Sequence, residues 1–208
     1  MPAAYVQIKE AAAIAAGGTI VLASSVTVGN RIVLMLRWDY NACPPSVTDN
    51  LGNSYTTHRS GTNYWVFSAP VTTGGSCTMT VAAGCSQGQG VAWELSGIDA
   101  TPYDGANKST NAANDVVTGS ITTTANGVMV LAMFQGGVGS PTYTPGAGFT
   151  EVFDGGSGIQ AQYQVQAVAG AINPSATASN NAADVVGFVA AFKAAAASTF
   201  FRPYYITG

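Results

Sequence analysis

The sequence predicts an all-β protein, an antiparallel two-sheet sandwich of jelly-roll type that ends in an extended C-terminal arm. Three observations lead there. Apolar residues recur with period two in short runs; Gly, Asn, Pro and Thr interrupt the chain every eight to twelve residues; and no long stretch has helical periodicity. The 208 residues carry no break in composition, no linker and no repeat that stands out. One sandwich domain over 1–193, followed by an arm over 194–208, therefore accounts for the chain.

Taken in order, EAAAIAAGG (10–18) reads either as a turn or two of helix or as a flexible loop between strands. RIVLMLRWD (31–39) places Ile32, Leu34, Leu36 and Trp38 on one face and Arg31 and Arg37 on the other. Asp49-Asn50-Leu51-Gly52-Asn53 has the residues of a turn, with Gly52 supplying a positive φ. NYWVFSA (63–69), CTMTVAA (77–83) and GVAWELS (90–96) are further strands. GIDATPYDG (97–105) reads as a second turn, bracketed by Asp99 and Asp104 with Pro102 inside it. GVMVLAMFQ (127–135) is apolar on both faces and should be a central strand covered on both sides. FTEVFD (149–154) and VVGFVAAFK (185–193) are strands as well. In QYQVQAV (162–168), Tyr163, Val165 and Ala167 point inward and Gln162, Gln164 and Gln166 outward. The expected core includes Leu34, Leu36, Trp38, Val130, Tyr163, Val165 and Phe188.

Composition narrows the function. Apolar residues make up 47% of the chain but charged ones only 8%, against a typical quarter. A net charge of −3 with no basic stripe argues against nucleic acid. No apolar run reaches membrane-spanning length, since Lys193 interrupts the alanine-rich end, so no membrane partner is expected. The opening MPAAYVQIKE lacks a basic region ahead of its apolar stretch, which predicts synthesis in a cytoplasm without an export signal. Cys43, Cys77 and Cys85 lack metal spacing. Cys77 and Cys85 flank a hairpin-like stretch that would let them pair; the other reading keeps all three as reduced, partly buried thiols.

The search for chemistry yields little. His58 is the one histidine, with no nucleophile elbow to serve, and reads as a rim residue. No P-loop or dinucleotide motif is present. Glu94 and Glu151 are the carboxylates a glycosidase would need, yet alternation sends both outward. Asp99 and Asp104 lack the D-x-D-x-D spacing of a calcium loop, and turn structure explains them. Trp38, Trp65 and Trp93 would stack sugars if exposed, but their strands suit packing. The expectation is a protein that is not an enzyme, with no catalytic, cofactor or metal residues.

Four segments together resemble a known family. SVTDNLGNSYTTHRS (46–60), VAWELSGIDATPYDG (91–105), GAGFTEVF (146–153) and GFVAAFK (187–193) are similar, in order and spacing, to the β-sandwich domain of bacterial surface and phage virion proteins. The likeness runs over roughly 3–193. It implies a lectin-like or jelly-roll sandwich in an adhesion or virion role, with no catalytic residues to transfer. The expected function is a structural virion protein of a tailed phage, a capsid decoration protein partnered with the major capsid protein or other virion proteins. The alternative is a tail-fibre, head-fibre or adhesin module that binds carbohydrate or another receptor. Such decoration proteins are commonly homo-oligomers, often trimers.

The tail STFFRPYYITG lies outside that likeness and holds four aromatics. Burying them would gain about 15–25 kcal/mol from their area, close to the cost of ordering eleven residues. The tail therefore orders only on nearly complete burial. Phe200, Phe201, Arg202, Tyr204 and Tyr205 are accordingly expected to bind a partner chain, or else to fold back over a sheet edge, with Pro203 keeping the segment irregular.

Overall fold

The computed structural model describes residues 2–15, 17–38, 45–61, 63–82, 87–136, 140–155, 158–180 and 184–196. The protein is all-β, with 66% of its residues in strands and no helix among the described residues. The first eight strands are β1 (Ala4–Ala15), β2 (Gly18–Val21), β3 (Arg31–Trp38), β4 (Ser46–Asp49), β5 (Thr56–Gly61), β6 (Tyr64–Pro70), β7 (Thr78–Ala82) and β8 (Gln87–Ser96). The next five are β9 (Ile98–Asn111), β10 (Asp115–Val117), β11 (Ile121–Thr122), β12 (Val128–Gln135) and β13 (Tyr143–Pro145). The last are β14 (Thr150–Gly155), β15 (Ile159–Gln166), β16 (Ala171–Ile172), β17 (Ser175–Ala178) and β18 (Val185–Ala194).

Two five-stranded antiparallel sheets, β1-β8-β3-β6-β5 and β14-β15-β12-β18-β9, face each other across a shared core. Val33, Met35, Tyr64, Val66 and Trp93 come from one side, Met129, Leu131, Met133, Phe188 and Phe192 from the other. Each large sheet is also covered on its outer face. The sheet β2-β7-β4 lies over Ile32, Leu34, Leu36, Trp65 and Phe67. The sheet β10-β17-β13 and the pair β11-β16 lie over Phe134, Val185, Val130 and Val189. The layering explains why β12 is buried at every position, as its two-sided apolar sequence requires.

The chain is a structural repeat. Read from its β9 edge, the second large sheet runs β9-β18-β12-β15-β14, the order of β1-β8-β3-β6-β5 position for position. Likewise β10-β17-β13 repeats β2-β7-β4. Even an irregularity recurs: the edge hairpin bulges between Thr57 and Arg59 in the first half and between Glu151 and Phe153 in the second. Arg59 of β5 reaches the Ala106 carbonyl on β9, and β14 lies along β1. Since β14 is the counterpart of β5 and β1 that of β9, the halves meet as the subunits of a twofold dimer would. The repeat escapes the sequence because it resides in pattern; NRIVLMLRW and NGVMVLAMF share little beyond it.

Several expectations are corrected. The stretch at 10–18 is neither helix nor loop: β1 runs through Ala15 and β2 starts at Gly18. Pairing with β8 and burial of Ile14 override the helix preference of alanine. GIDATPYDG is no turn but part of the strand β9. Pro102 is tolerated because β9 is an edge strand with bulges against β18 around it. Leu34, Leu36, Val130 and Phe188 are buried as expected, and Tyr163 packs half-buried against the central core. Val165, by contrast, is 39% exposed and Ala167 is exposed, while Gln162 is fully buried, because the small outer sheet covers the glutamine face and the Tyr163 face emerges at its far end. The side chain of Trp38 lies outside the described residues. The face of β3 bearing Arg31 and Arg37 is no solvent face either: Val33 and Met35 between them sit in the central core.

Candidate functional site

Four of the chain's seven basic residues gather where the halves meet. Arg31 and Arg37 stand at the two ends of the inward face of β3, Arg59 lies on β5 and Lys108 on β9. Two hollows open along this seam, one at each end of β3.

The hollow at the Arg31 end, about 340 Å³, is lined by Arg31, Thr56, His58, Pro102 and Tyr103. The guanidinium of Arg31 donates to Ser68 Oγ at 3.0 Å and to the Ala100 carbonyl at 3.2 Å. His58 Nε2 stands 2.7 Å from the same Ser68 oxygen, and its ring stacks on Tyr103 with centroids 4.7 Å apart. Arg31 occupies one of the two lone pairs of that oxygen, and the direction of the Ser68–His58 bond follows the His58 tautomer. Burial, then the Arg31 charge, lowers the His58 pKa to about 4, which keeps the imidazole neutral at pH 7. A serine this close to a histidine has nucleophile–base geometry. Ser68, however, is fully buried, with its hydroxyl engaged on both sides. The cluster is a clamp tying β3, β5 and β6 to β9, and no substrate atom can reach Ser68 in this packing.

The hollow at the Arg37 end, about 360 Å³, is lined by Arg37, Asn63, Lys108, Thr110, Asp184 and Phe188. Tyr64 lies beneath it in sequence and packing: its ring carries the Arg59 guanidinium at 4.9 Å and the Lys108 ammonium at 5.6 Å, and packs on Phe188 at 4.7 Å. Arg59 is committed to the Ala106 carbonyl at 2.8 Å. Arg37 makes no hydrogen bond or ion pair among the described residues. Partial burial, then Arg59 and Arg37, holds the Lys108 ammonium below its ordinary pKa. Asn63 and Asp184 both take left-handed backbone, φ 68° and 64°, at the turns entering β6 and β18.

The other residues singled out from sequence are scattered. Phe200, Phe201, Arg202, Tyr204 and Tyr205 lie outside the described residues. The last described contact on their approach is from the Ala195 amide to the Gly97 carbonyl at 2.8 Å. Glu94 does not point outward to solvent. It is fully buried, accepting from the Thr27 amide at 2.9 Å, Asn30 Nδ2 at 2.7 Å and Gln7 Nε2 at 2.6 Å. Glu151 is exposed on β14, in the other large sheet, so the two carboxylates do not form a pair. Trp93 and Trp65 are buried in the central and first outer cores and offer no stacking platform.

Asp49 makes the turn that its sequence predicts. It accepts from the Leu51 and Asn53 amides, from Asn53 Nδ2 and from the Tyr55 hydroxyl, all at 2.9–3.0 Å. Burial alone would raise the Asp49 carboxyl; the hydrogen bonds from Asn53, Tyr55 and Leu51 outweigh it and hold the pKa below the usual value. The Cys77 thiol is free and buried, so it is not paired with Cys85, and burial and Asp49 push its pKa up to about 12. No cluster of metal-ligating side chains occurs among the described residues. The seam cations were missed in the sequence reading. The signal was there in Arg31 and Arg37 sharing a face of one strand, but alternation alone does not show that a second sheet covers that face.

Comparison of the chain with protein-family models, with curated proteins and with solved structures finds no match.

Proposed function

We propose that this protein is a structural virion protein of a tailed phage, a capsid decoration protein. In this reading each half is a jelly-roll-type sandwich, and the aromatic tail grips the major capsid protein or a neighbouring virion protein. The observation that carries the proposal is the strand order. In each half the chain alternates between a sheet ordered β1-β8-β3-β6 and one ordered β2-β7-β4, or their counterparts. That alternation supports the reading as an eight-stranded roll, an architecture recurrent in viral shells and lectins. The departure is that β5 pairs with β6 and not with β4. The step from roll to shell is one of fold analogy.

The remaining support is physical. Glu94, Ser68 and Gln162 are fully buried and hydrogen-bonded within the fold. Strand edges and turns, rich in Thr, Ser, Asn and Gly, are what remain for contact with neighbours, which suits a part held in an assembly. Counting the protein in purified particles by quantitative mass spectrometry, with imaging of its position, tests the reading. Hundreds of copies on the shell are expected. A handful at the tail would replace decoration with the fibre reading, and absence from particles would overturn both.

The second reading, a receptor-binding fibre or adhesin module, is favoured by one observation: the hollow beside Arg37, whose guanidinium has no hydrogen-bond acceptor among the described residues.

A further inference from the structure

We infer that the hollow at the Arg37 end of the seam binds the carboxylate-bearing sugar of an acidic glycan, a uronate or a nonulosonate, with Arg37 as the anchor of the carboxylate. The inference is independent of where the protein is mounted.

Four features point to this chemistry. First, the hollow is a formed cleft of about 360 Å³ between two rigid sheets, within the range that holds a small ligand. Second, Arg37 presents a planar fork of donors without a protein acceptor among the described residues, and such a fork matches a carboxylate in bidentate fashion. Lys108 beside it adds a second cation, and Arg59 behind it strengthens the positive field. In a chain of net charge −3, a described lining with two cations and one carboxylate, backed by Arg59, is a local inversion of sign.

Third, the rest of the lining is what a sugar ring needs. Asn63 and Thr110 can donate to or accept from hydroxyls, and half-buried Val186 gives an apolar contact for the C–H face of the ring. Fourth, Asp184 shares the lining. A carboxylate there accepts hydrogen bonds from hydroxyls but repels a dense anion, so phosphate chains and nucleic acid are disfavoured against a singly charged polyol. Partial burial, then the nearby Arg59 and Arg37 charges, lowers the Lys108 pKa, and a bound carboxylate would relieve the repulsion between the cations.

The test is calorimetric titration of the full chain with glucuronate, galacturonate and N-acetylneuraminate at low salt, beside their neutral parent sugars. At least one acid is expected to bind, with the neutral sugars weaker by roughly tenfold or more. Arg37→Gln should weaken binding by about the same factor and Lys108→Gln by less, with melting unchanged in both. Added salt should weaken binding progressively. No heat from any of the three acids at millimolar concentration, or an Arg37→Gln protein that binds as the parent does, overturns the inference. Should Arg37→Gln fold poorly, Asp184→Asn decides, because Asp184 is exposed and substitution there leaves the core intact. That variant is expected to bind inorganic sulfate competitively with the acidic sugar, which the parent excludes. An unaltered preference between sulfate and sugar would sink the assignment.

Discussion

The two halves of the molecule solve one problem with different residues. In each, the loop leading into the central strand has a backbone amide that a carboxylate must hold. In the first half Glu94, on β8, accepts from the Thr27 amide at 2.9 Å, and its other oxygen takes Gln7 Nε2 from β1. In the second half the carboxylate is Asp104, on β9, which accepts from the Thr124 amide at 2.8 Å and pairs with Lys193 on β18 at 3.5 Å. Because β9 is the counterpart of β1 and β18 that of β8, the acid and its partner have exchanged strands. The fold requires an acceptor at that amide; it does not prescribe which strand supplies it. Conservation of place without conservation of letters is why the repeat is visible in space and hidden in the chain.

The locks differ in their partners. Glu94 is fully buried and faces only neutral donors, whereas Lys193, 35% exposed, keeps its end of the Asp104 pair in water. The largest expected effect follows. Glu94→Ala strands the Thr27 amide, Asn30 and Gln7 without an acceptor in the interior, and should cost about 3–5 kcal/mol. Asp104→Asn keeps a carbonyl for the Thr124 amide and loses only a partly solvated ion pair, which should cost about 1 kcal/mol. Urea unfolding of the two variants measures the difference. Equal losses would mean that the two locks are energetically the same and that the comparison drawn here fails.

A middle-sized effect distinguishes the edge hairpins. His58 occupies the bulge of the first, and Val152 the same bulge of the second. Burial, then Arg31, depresses the His58 pKa to about 4 in the folded protein, below the unfolded value near 6.5. The unfolded chain therefore takes the proton first. Stability from this group is complete above pH 6.5 and is lost as pH falls toward 4, with no further loss from it below that. Solvent screening of a half-buried ring reduces the loss to about 2 kcal/mol. Asp49, whose carboxyl is also depressed, loses its contribution only below the ordinary carboxylate range, so the upper window reports on His58. Unfolding measured from pH 7 to 4 should show this slope, and His58→Val, which copies the second half, should flatten it. A slope that survives the substitution would assign the titration to another group.

The same comparison explains what could be read in advance. Period-two alternation located most of the long strands, and β12 was correctly made central because seven apolar residues in a row leave no face for water. Alternation cannot say what covers a face. Gln162 looks solvated in sequence, yet strand β17, made of Ser, Ala and Thr, lies over it and takes its amide on the Ser175 carbonyl at 2.9 Å. Small polar strands give too little apolar signal to announce themselves as a layer. The candidate site was less legible still. It is built from residues of β3, β9 and β18 and of the turns before β6 and β18 that only the meeting of the two halves brings together, and no local spacing records that meeting.

The smallest expected change in stability, and the largest in assembly, is removal of the tail. β18 already completes the second large sheet by pairing with β12 on one side and β9 on the other, and Ala195 closes it against Gly97. Both halves therefore have their cores filled by residues before Ala197. Four aromatics and an arginine over 198–208 bring apolar area with nothing of either half left for them to complete. Truncation after Ala197 should leave the melting temperature within a few degrees of the full chain, equivalent to less than about 1 kcal/mol. The same truncation should abolish incorporation into particles when supplied in place of the full chain. A sharp fall in melting with incorporation intact would assign the tail to its own domain, where it would lie across a sheet edge such as β9, and would remove Phe200, Phe201, Arg202, Tyr204 and Tyr205 from any partner interface.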